Sequence, residues 1–149
     1  MRLVVDSSVL EHANRSDGAE CLACLGAILE NESILLTGHG EWVQKINEIP
    51  NLSEAVHIWK SGMLNRCVRC ERGVKHLFDP PLDPLPKTVQ QHWYLLTMAH
   101  QSDKIVLYCS VVSPDCYQLA KIDHPDFVCV DWRSVHENGN LQDWLRDCK

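Results

Sequence analysis

Short apolar runs recur along the chain, and each of them ends in a polar residue or a turn. Runs that are rich in β-branched residues and lack polar alternation are typical of strands in a parallel sheet covered on both faces. The pattern therefore predicts buried parallel strands. They are expected at residues 3–5, 33–37, 104–109 and 127–131.

The segments between these runs carry apolar residues at helical spacing. Candidate N-caps precede them at Ser7 or Ser8, at Asp17 and at Ser53. The predicted helices cover residues 9–13, 19–30, 41–49, 54–76, 87–101, 114–121 and 141–148. Strands that alternate with helices predict parallel, right-handed connections. We therefore expect an α/β fold, a three-layer α/β/α sandwich around a central parallel sheet of four or five strands, in one domain over residues 1–149.

Composition narrows the class of protein. The 149 residues are 45% hydrophobic and 23% charged, as in ordinary globular domains. No run reaches the roughly 20 apolar residues of a membrane helix, and Met1 leads directly into a strand, so we expect a cytoplasmic protein without a signal peptide. The 8 cysteines would then be reduced. The net charge of −6 gives no global attraction to nucleic acid, so any such contact needs a local patch.

Acidic and hydroxyl residues follow the predicted strands. Asp6 ends the first strand, Glu41 follows the second, Ser110 ends the third with Asp115 five residues later, and Asp131 ends the fourth. The carboxyl ends of parallel strands share one edge of the sheet, where converging carboxylates need a cation to offset their repulsion. Oxygen ligands favour Mg²⁺ or Mn²⁺, and such an ion supports cleavage of a phosphodiester. The alternative for Asp6 is a helix cap or a turn.

Four segments of the chain resemble the PIN domain superfamily, in particular its small stand-alone bacterial members. They read VVDSSVL (4–10), TGHGEW (37–42), IWKSGM (58–63) and LLTMAHQSDKIVL (95–107), within a likeness that extends from Met1 to about Lys121. The resemblance implies an α/β/α nuclease, typically a ribonuclease, that uses Mg²⁺ or Mn²⁺ held by three or four acids. Many such domains are toxins of toxin–antitoxin pairs.

The acids of the family are only partly present here. By the resemblance, Asp6 matches the first acid, Ser8 the small polar residue after it, and Glu41 the second acid. His92 occupies the third acidic position and Ser110 the fourth, so two of the four acids are missing. The resemblance thus implies a metal-dependent endoribonuclease with an incomplete centre, in which Asp6 and Glu41 hold a divalent ion weakly and Ser8 and Ser110 orient its waters.

Three residues are candidates to complete this centre. His92 would serve as a Mn²⁺ ligand or a general base, Asp115 would fold back as a metal ligand, and Asp131 would approach from the neighbouring strand. Their alternatives are a packing or surface histidine, a solvated helix cap and a strand-end residue. If none contributes, the chain is a degenerate PIN-like domain that binds RNA or a protein partner without cleavage. The possible protein partners are an antitoxin and a second copy of the chain.

A local group of basic residues lies in the predicted helix over 54–76. Arg66, Arg69 and Arg72 step by three, so neighbours would share one side of that helix. In an acidic protein this strip is the candidate contact for RNA phosphates. The alternatives are an ordinary solvated helix face and a docking site for an acidic partner protein.

Two Cys-x-x-Cys pairs have the spacing of zinc ligands. The cysteines are Cys21, Cys24, Cys67 and Cys70. Both pairs fall inside predicted helices rather than in the turns that usually present zinc ligands, and free cysteine is a common core residue. We therefore expect packing at these positions rather than a zinc site.

Overall fold

The computed structural model describes residues 2–31, 35–38, 40–65, 67–69, 95, 98, 105–112 and 128–137. Within these residues the strands are β1 (Arg2–Val5), β2 (Leu35–Gly38), β3 (Cys67–Arg69), β4 (Ile105–Tyr108) and β5 (Val128–Asp131). The helices of the same residues are α1 (Ser7–Ala13), α2 (Ala19–Glu30), α3 (Gly40–Asn47), α4 (Glu54–Asn65) and α5 (Trp132–Glu137).

The strands pair side by side in the order β3-β2-β1-β4-β5, and all neighbours are parallel. The central strand β1 pairs with β2 through Leu3 and Leu36 and with β4 through Val5 and Leu107. Leu3 and Val5 are fully buried, as expected of a parallel strand covered on both faces. The prediction of an α/β fold is confirmed.

The first two helices begin differently from the prediction. Asp6, rather than Ser7 or Ser8, is the N-cap of α1, which confirms the alternative of a helix cap at Asp6. Its Oδ2 accepts a hydrogen bond from the Ser8 amide at 3.2 Å. A capping carboxylate of this kind pairs an amide that the helix leaves unsatisfied. Helix α2 has the predicted bounds, but its N-cap is Gly18, without a side-chain bond, instead of Asp17.

The middle of the chain contains the largest correction. Ser53 caps α4 as predicted, since its Oγ accepts a hydrogen bond from the Val56 amide at 3.3 Å. The helix expected over 54–76 ends at Asn65, however, and residues 67–69 form the strand β3. The backbone of β3 pairs with β2, and this long-range pairing outweighs the local helical spacing of the sequence.

The helices bury apolar side chains against one another and against the sheet. Helix α2 packs against α1, α4 and α5. Helix α5 is absent from the prediction, and Asp131 starts it by accepting a hydrogen bond from the Arg133 amide at 3.2 Å. In the helix expected over 87–101, Leu95 and Met98 are described, and both are helical and fully buried. The helices expected at 114–121 and 141–148 lie outside the described residues. Within the described part of the chain, no helix is long and apolar enough to cross a membrane.

Candidate functional site

The strand order reverses between β1 and β4, so a binding crevice is expected outside the carboxyl ends of these two strands. In chain order, β2 and β3 are added to the sheet on one side of β1, and β4 and β5 are then added on the other side of β1. In open α/β sheets, ligands bind outside the carboxyl ends of the strands where the order reverses in this way. Asp6 directly follows β1, and Cys109 and Ser110 directly follow β4. The structure therefore places Asp6 and Ser110 on the two strands that border the crevice.

Asp6 is held tightly at this point. Its side chain is almost completely buried, with 1% of its surface exposed. Its backbone amide donates to the Leu107 carbonyl of β4 at 2.8 Å, and one carboxylate oxygen accepts from the Ser8 amide. A carboxylate offers about four lone-pair sites, so capping α1 and binding a cation are compatible roles for the same side chain.

Ser8 joins the start of α1 to the end of β4. Its hydroxyl is buried and accepts a hydrogen bond from the Cys109 amide at 3.0 Å. The bond spans 101 positions of the chain, and it fixes the backbone immediately before Ser110. Ser8, which the sequence predicts to orient waters, thus also holds the end of β4 in place.

Ser110 and Asp131 come together at the ends of β4 and β5. The two strands are in register with Tyr108 opposite Asp131. The Ser110 hydroxyl donates to Oδ2 of Asp131, and Oδ1 of the same carboxylate accepts from the Arg133 amide. Both side chains are half-buried. The serine that stands at the fourth acidic position of the PIN resemblance is therefore bonded to a carboxylate from the adjacent strand.

Glu41 lies in the first turn of α3 and is exposed. Its neighbour Trp42 is fully buried, and the indole Nε1 donates to the Val5 carbonyl at 2.6 Å. This bond attaches the start of α3 to the last residue of β1, directly before Asp6. The bond from Trp42 to Val5 depends on how α3 packs, so no local pattern in the sequence predicts it.

The structure does not test several of the predicted site residues, and it corrects one of them. His92, Asp115, Arg66 and Arg72 lie outside the described residues. Arg69 ends the edge strand β3, so the expected basic strip along a single helix is wrong at this position. Among the residues that the structure describes, no three His, Cys, Asp or Glu side chains form a group that could hold a metal ion.

The first Cys-x-x-Cys pair is part of the core. Cys21 donates its thiol hydrogen to the Val9 carbonyl at 3.3 Å, and Cys24 contacts the Trp132 carbonyl at 4.0 Å. Burial raises the pKa of Cys24 to about 11, and burial together with the neighbouring Cys109 raises the pKa of Cys21 further. Protonated thiols that bond to backbone carbonyls support the packing interpretation. Of the second pair, Cys67 is a residue of β3 and Cys70 lies outside the described residues.

Comparison with known proteins assigns no function to this site. No protein-family model matches the chain, and no curated protein matches it either. What the site does is therefore inferred from its residues and from the strand ends that bring them together.

Proposed function

We propose that this chain is a PIN-like endoribonuclease that depends on Mg²⁺ or Mn²⁺, with helices on both faces of its parallel sheet in a three-layer α/β/α arrangement. The observation that carries the proposal is Asp6, a carboxylate with 1% of its surface exposed at the reversal point of the strand order. Burying a charge is costly unless hydrogen bonds or a counter-ion compensate for it. A site that uses the charge gives a reason for an acid at this position.

The donor set fits a hard divalent cation. The groups around the ends of β1, β4 and β5 are carboxylate and hydroxyl oxygens from Asp6, Ser110 and Asp131, and oxygen ligands are those that Mg²⁺ and Mn²⁺ prefer. Asp6 and Glu41 would hold the ion, with water completing its coordination. When bound, the ion would lower the pKa of a coordinated water and neutralise charge on a phosphate.

The chain's own residues set the geometry around that ion. The Ser8 amide donates to the Asp6 carboxylate, and the backbone amide of Asp6 is bonded to the Leu107 carbonyl of β4. The Ser8 hydroxyl keeps the end of β4 beside it. Groups fixed before the ligand arrives lose little conformational entropy when it binds, which matters in a site with few acids.

RNA is the proposed substrate because the backbone of one basic residue, Arg69, lies at the same edge of the sheet. Arg69 is the last residue of β3 and pairs in register with Gly38, the last residue of β2. Its backbone therefore stands at the carboxyl edge of the sheet, where Asp6 also lies. Arg66 and Arg72 are close to it in the chain, and we propose that the three arginines contact the RNA backbone.

A second function is favoured by one specific observation. Ser110 stands where the resemblance expects an acid, and its hydroxyl is already bonded to Asp131. A domain of this kind without a working centre would bind RNA, or a protein partner such as an antitoxin, without cleavage.

Cleavage of end-labelled RNA with added Mg²⁺ or Mn²⁺ distinguishes the two functions. The variant is Asp6→Asn, because asparagine is as good an N-cap as aspartate and the substitution removes the negative charge. Asp17→Asn is the matched control, since Asp17 is exposed and lies away from the strand ends. The nuclease proposal expects cleavage by the wild type and by Asp17→Asn, and its loss with EDTA or in Asp6→Asn.

Two results would refute the nuclease proposal. One is cleavage by Asp6→Asn at the wild-type rate, which would indicate a contaminating ribonuclease. The other is a wild-type protein that neither cleaves RNA nor binds Mn²⁺ in calorimetry. Retention of RNA binding in that second case would support the non-cleaving domain.

A further inference from the structure

The hydrogen bond between Ser110 and Asp131 determines how Ser110 can act in the crevice. A hydroxyl has one hydrogen to donate and two lone pairs that accept. The Ser110 hydrogen goes to Oδ2 of Asp131. In this arrangement every further partner of Ser110 Oγ has to be a hydrogen-bond donor or a cation. The water shell of a divalent cation supplies donors, whereas the phosphate oxygens of RNA are acceptors.

Asp131 is fixed well enough to impose this arrangement. Its second oxygen, Oδ1, accepts from the Arg133 amide at the start of α5. Both oxygens are therefore bonded, and the carboxylate is anchored at the end of β5 and the beginning of a helix. A hydrogen bond to a charged carboxylate is stronger than one between neutral groups, and it makes the Ser110 oxygen a better acceptor through polarisation.

The position of Asp131 separates its role from that of Asp6. Strand β4 lies between β1 and β5, and neighbouring strands are about 4.8 Å apart, so the axes of β1 and β5 are roughly 10 Å apart. Ser110 follows the intervening strand. Along the sheet edge Ser110 therefore follows the strand that lies between those carrying Asp6 and Asp131, and its hydroxyl is bonded to Asp131.

We infer that Ser110 and Asp131 together replace the carboxylate that the site lacks at the end of β4. Ser110 Oγ accepts a hydrogen bond from the water shell of the cation held at Asp6, and Asp131 is a positioning residue that fixes the hydroxyl and supplies the negative charge. The inference rests on the proposed function, because it requires a divalent cation at Asp6. It also assigns Ser110 to the cation rather than to RNA phosphates.

Mn²⁺ titration of the full chain by calorimetry tests this inference, with Asp131→Asn and Ser110→Ala as the single variants. Asparagine at 131 removes the charge but has a single side-chain oxygen, so it keeps only one of the two hydrogen bonds that Asp131 accepts from Ser110 and from the Arg133 amide. Ser110→Ala leaves the Asp131 carboxylate and its bond to Arg133 unchanged and is therefore the cleaner of the two variants. Partners that hold a metal ligand in place contribute 10- to 100-fold to affinity, and we expect each single variant to weaken Mn²⁺ binding by about that factor. Asp17→Asn, the exposed control, keeps the wild-type affinity.

A double variant separates a positioning role from a merely structural one. If Asp131 acts through Ser110, Ser110→Ala with Asp131→Asn binds Mn²⁺ about as weakly as Ser110→Ala does alone. A carboxylate placed directly at the end of β4, by Ser110→Asp in the Asp131→Asn background, restores the affinity. Thermal unfolding without metal is measured for each variant to check that it folds. If Asp131→Asn is poorly folded, Ser110→Ala still tests the inference, because it leaves the α5 cap intact.

The results of these titrations separate the paired role of Ser110 and Asp131 from the proposed function. Wild-type affinity in both single variants, or losses that simply add in the double variant, would overturn the paired role. If Asp6→Asn abolishes Mn²⁺ binding in the same series, the proposed function still stands. A wild-type chain that binds no Mn²⁺ would overturn both proposals together.

Discussion

Ser8 fixes the end of β4, and replacing it with alanine isolates the energy of that bond. The Ser8 side chain is 2% exposed and Cys109 is fully buried. The Cys109 amide donates to Ser8 Oγ at 3.0 Å, a normal distance for this type of bond. Ser8→Ala would leave a buried amide without its acceptor, at a site where water has little access.

The expected cost follows from that geometry. Leaving a buried donor unsatisfied costs about 1–3 kcal/mol of unfolding free energy. For a chain of this size each kcal/mol corresponds to about 2–4 °C in the midpoint of thermal unfolding. Ser8→Ala is therefore expected to lower the midpoint by about 2–12 °C, as measured by circular dichroism without added metal.

Ser7→Ala is the matched control. It makes the same chemical change one residue earlier, at a half-buried helix position, where substitutions usually stay within about 0.5 kcal/mol. If Ser8→Ala and Ser7→Ala lower the midpoint equally, the bond to Cys109 contributes nothing measurable. The link from Ser8 to the crevice would then have to be abandoned.

Two further predictions concern the packing around α1, α2 and α3. A Cβ at Gly18 would clash with the His12 carbonyl oxygen, whereas one at Gly40 would meet nothing within 4 Å. Gly18→Ala should therefore lower the free energy of unfolding in urea by about 1–3 kcal/mol. An equal effect of Gly40→Ala would contradict the clash. Burial raises the pKa of Cys24 from 9.0 to about 11, so the folded state binds the thiol proton more tightly than the unfolded state does. The contribution of this proton to the free energy of unfolding is complete below pH 9 and is lost as the pH rises toward 11. Unfolding at pH 8 and at pH 10.5 measures it, and Cys24→Ala should reduce the difference.

The strands were largely predictable because their signal is local. A run such as Leu3–Val5, β-branched and without polar alternation, predicts a buried parallel strand, and the structure places β1 there with full burial. Strand β3 was not predictable in this way. It has three residues, too few for a pattern, and it is stabilised by pairing with β2. Arg69 therefore looked helical in the sequence and is an edge-strand residue in the fold.

The candidate site shows the same division. The placement of Asp6 and Ser110 at one edge follows from the rule that parallel strand ends meet, and the sequence predicts it. The bond from Ser110 to Asp131 depends on the register of β4 against β5, which sets Tyr108 opposite Asp131. Register is determined by packing across the sheet and not by the residues of either strand alone. The sequence could therefore nominate Asp131 but could not identify its partner.

The two roles of Asp6 give different reasons for its residue type. An N-cap requires an acceptor but no charge, since serine and asparagine cap helices as well as aspartate does. A neutral residue at 1% exposure would also avoid the cost of burying a charge. The cap by itself therefore does not explain why an acid stands here. The proposed cation would use the charge of Asp6, whereas the half-buried Asp131 caps α5 while it holds the Ser110 hydroxyl. At both strand ends a carboxylate begins a helix, and in the proposed site Asp6 holds the cation while Asp131 acts through Ser110.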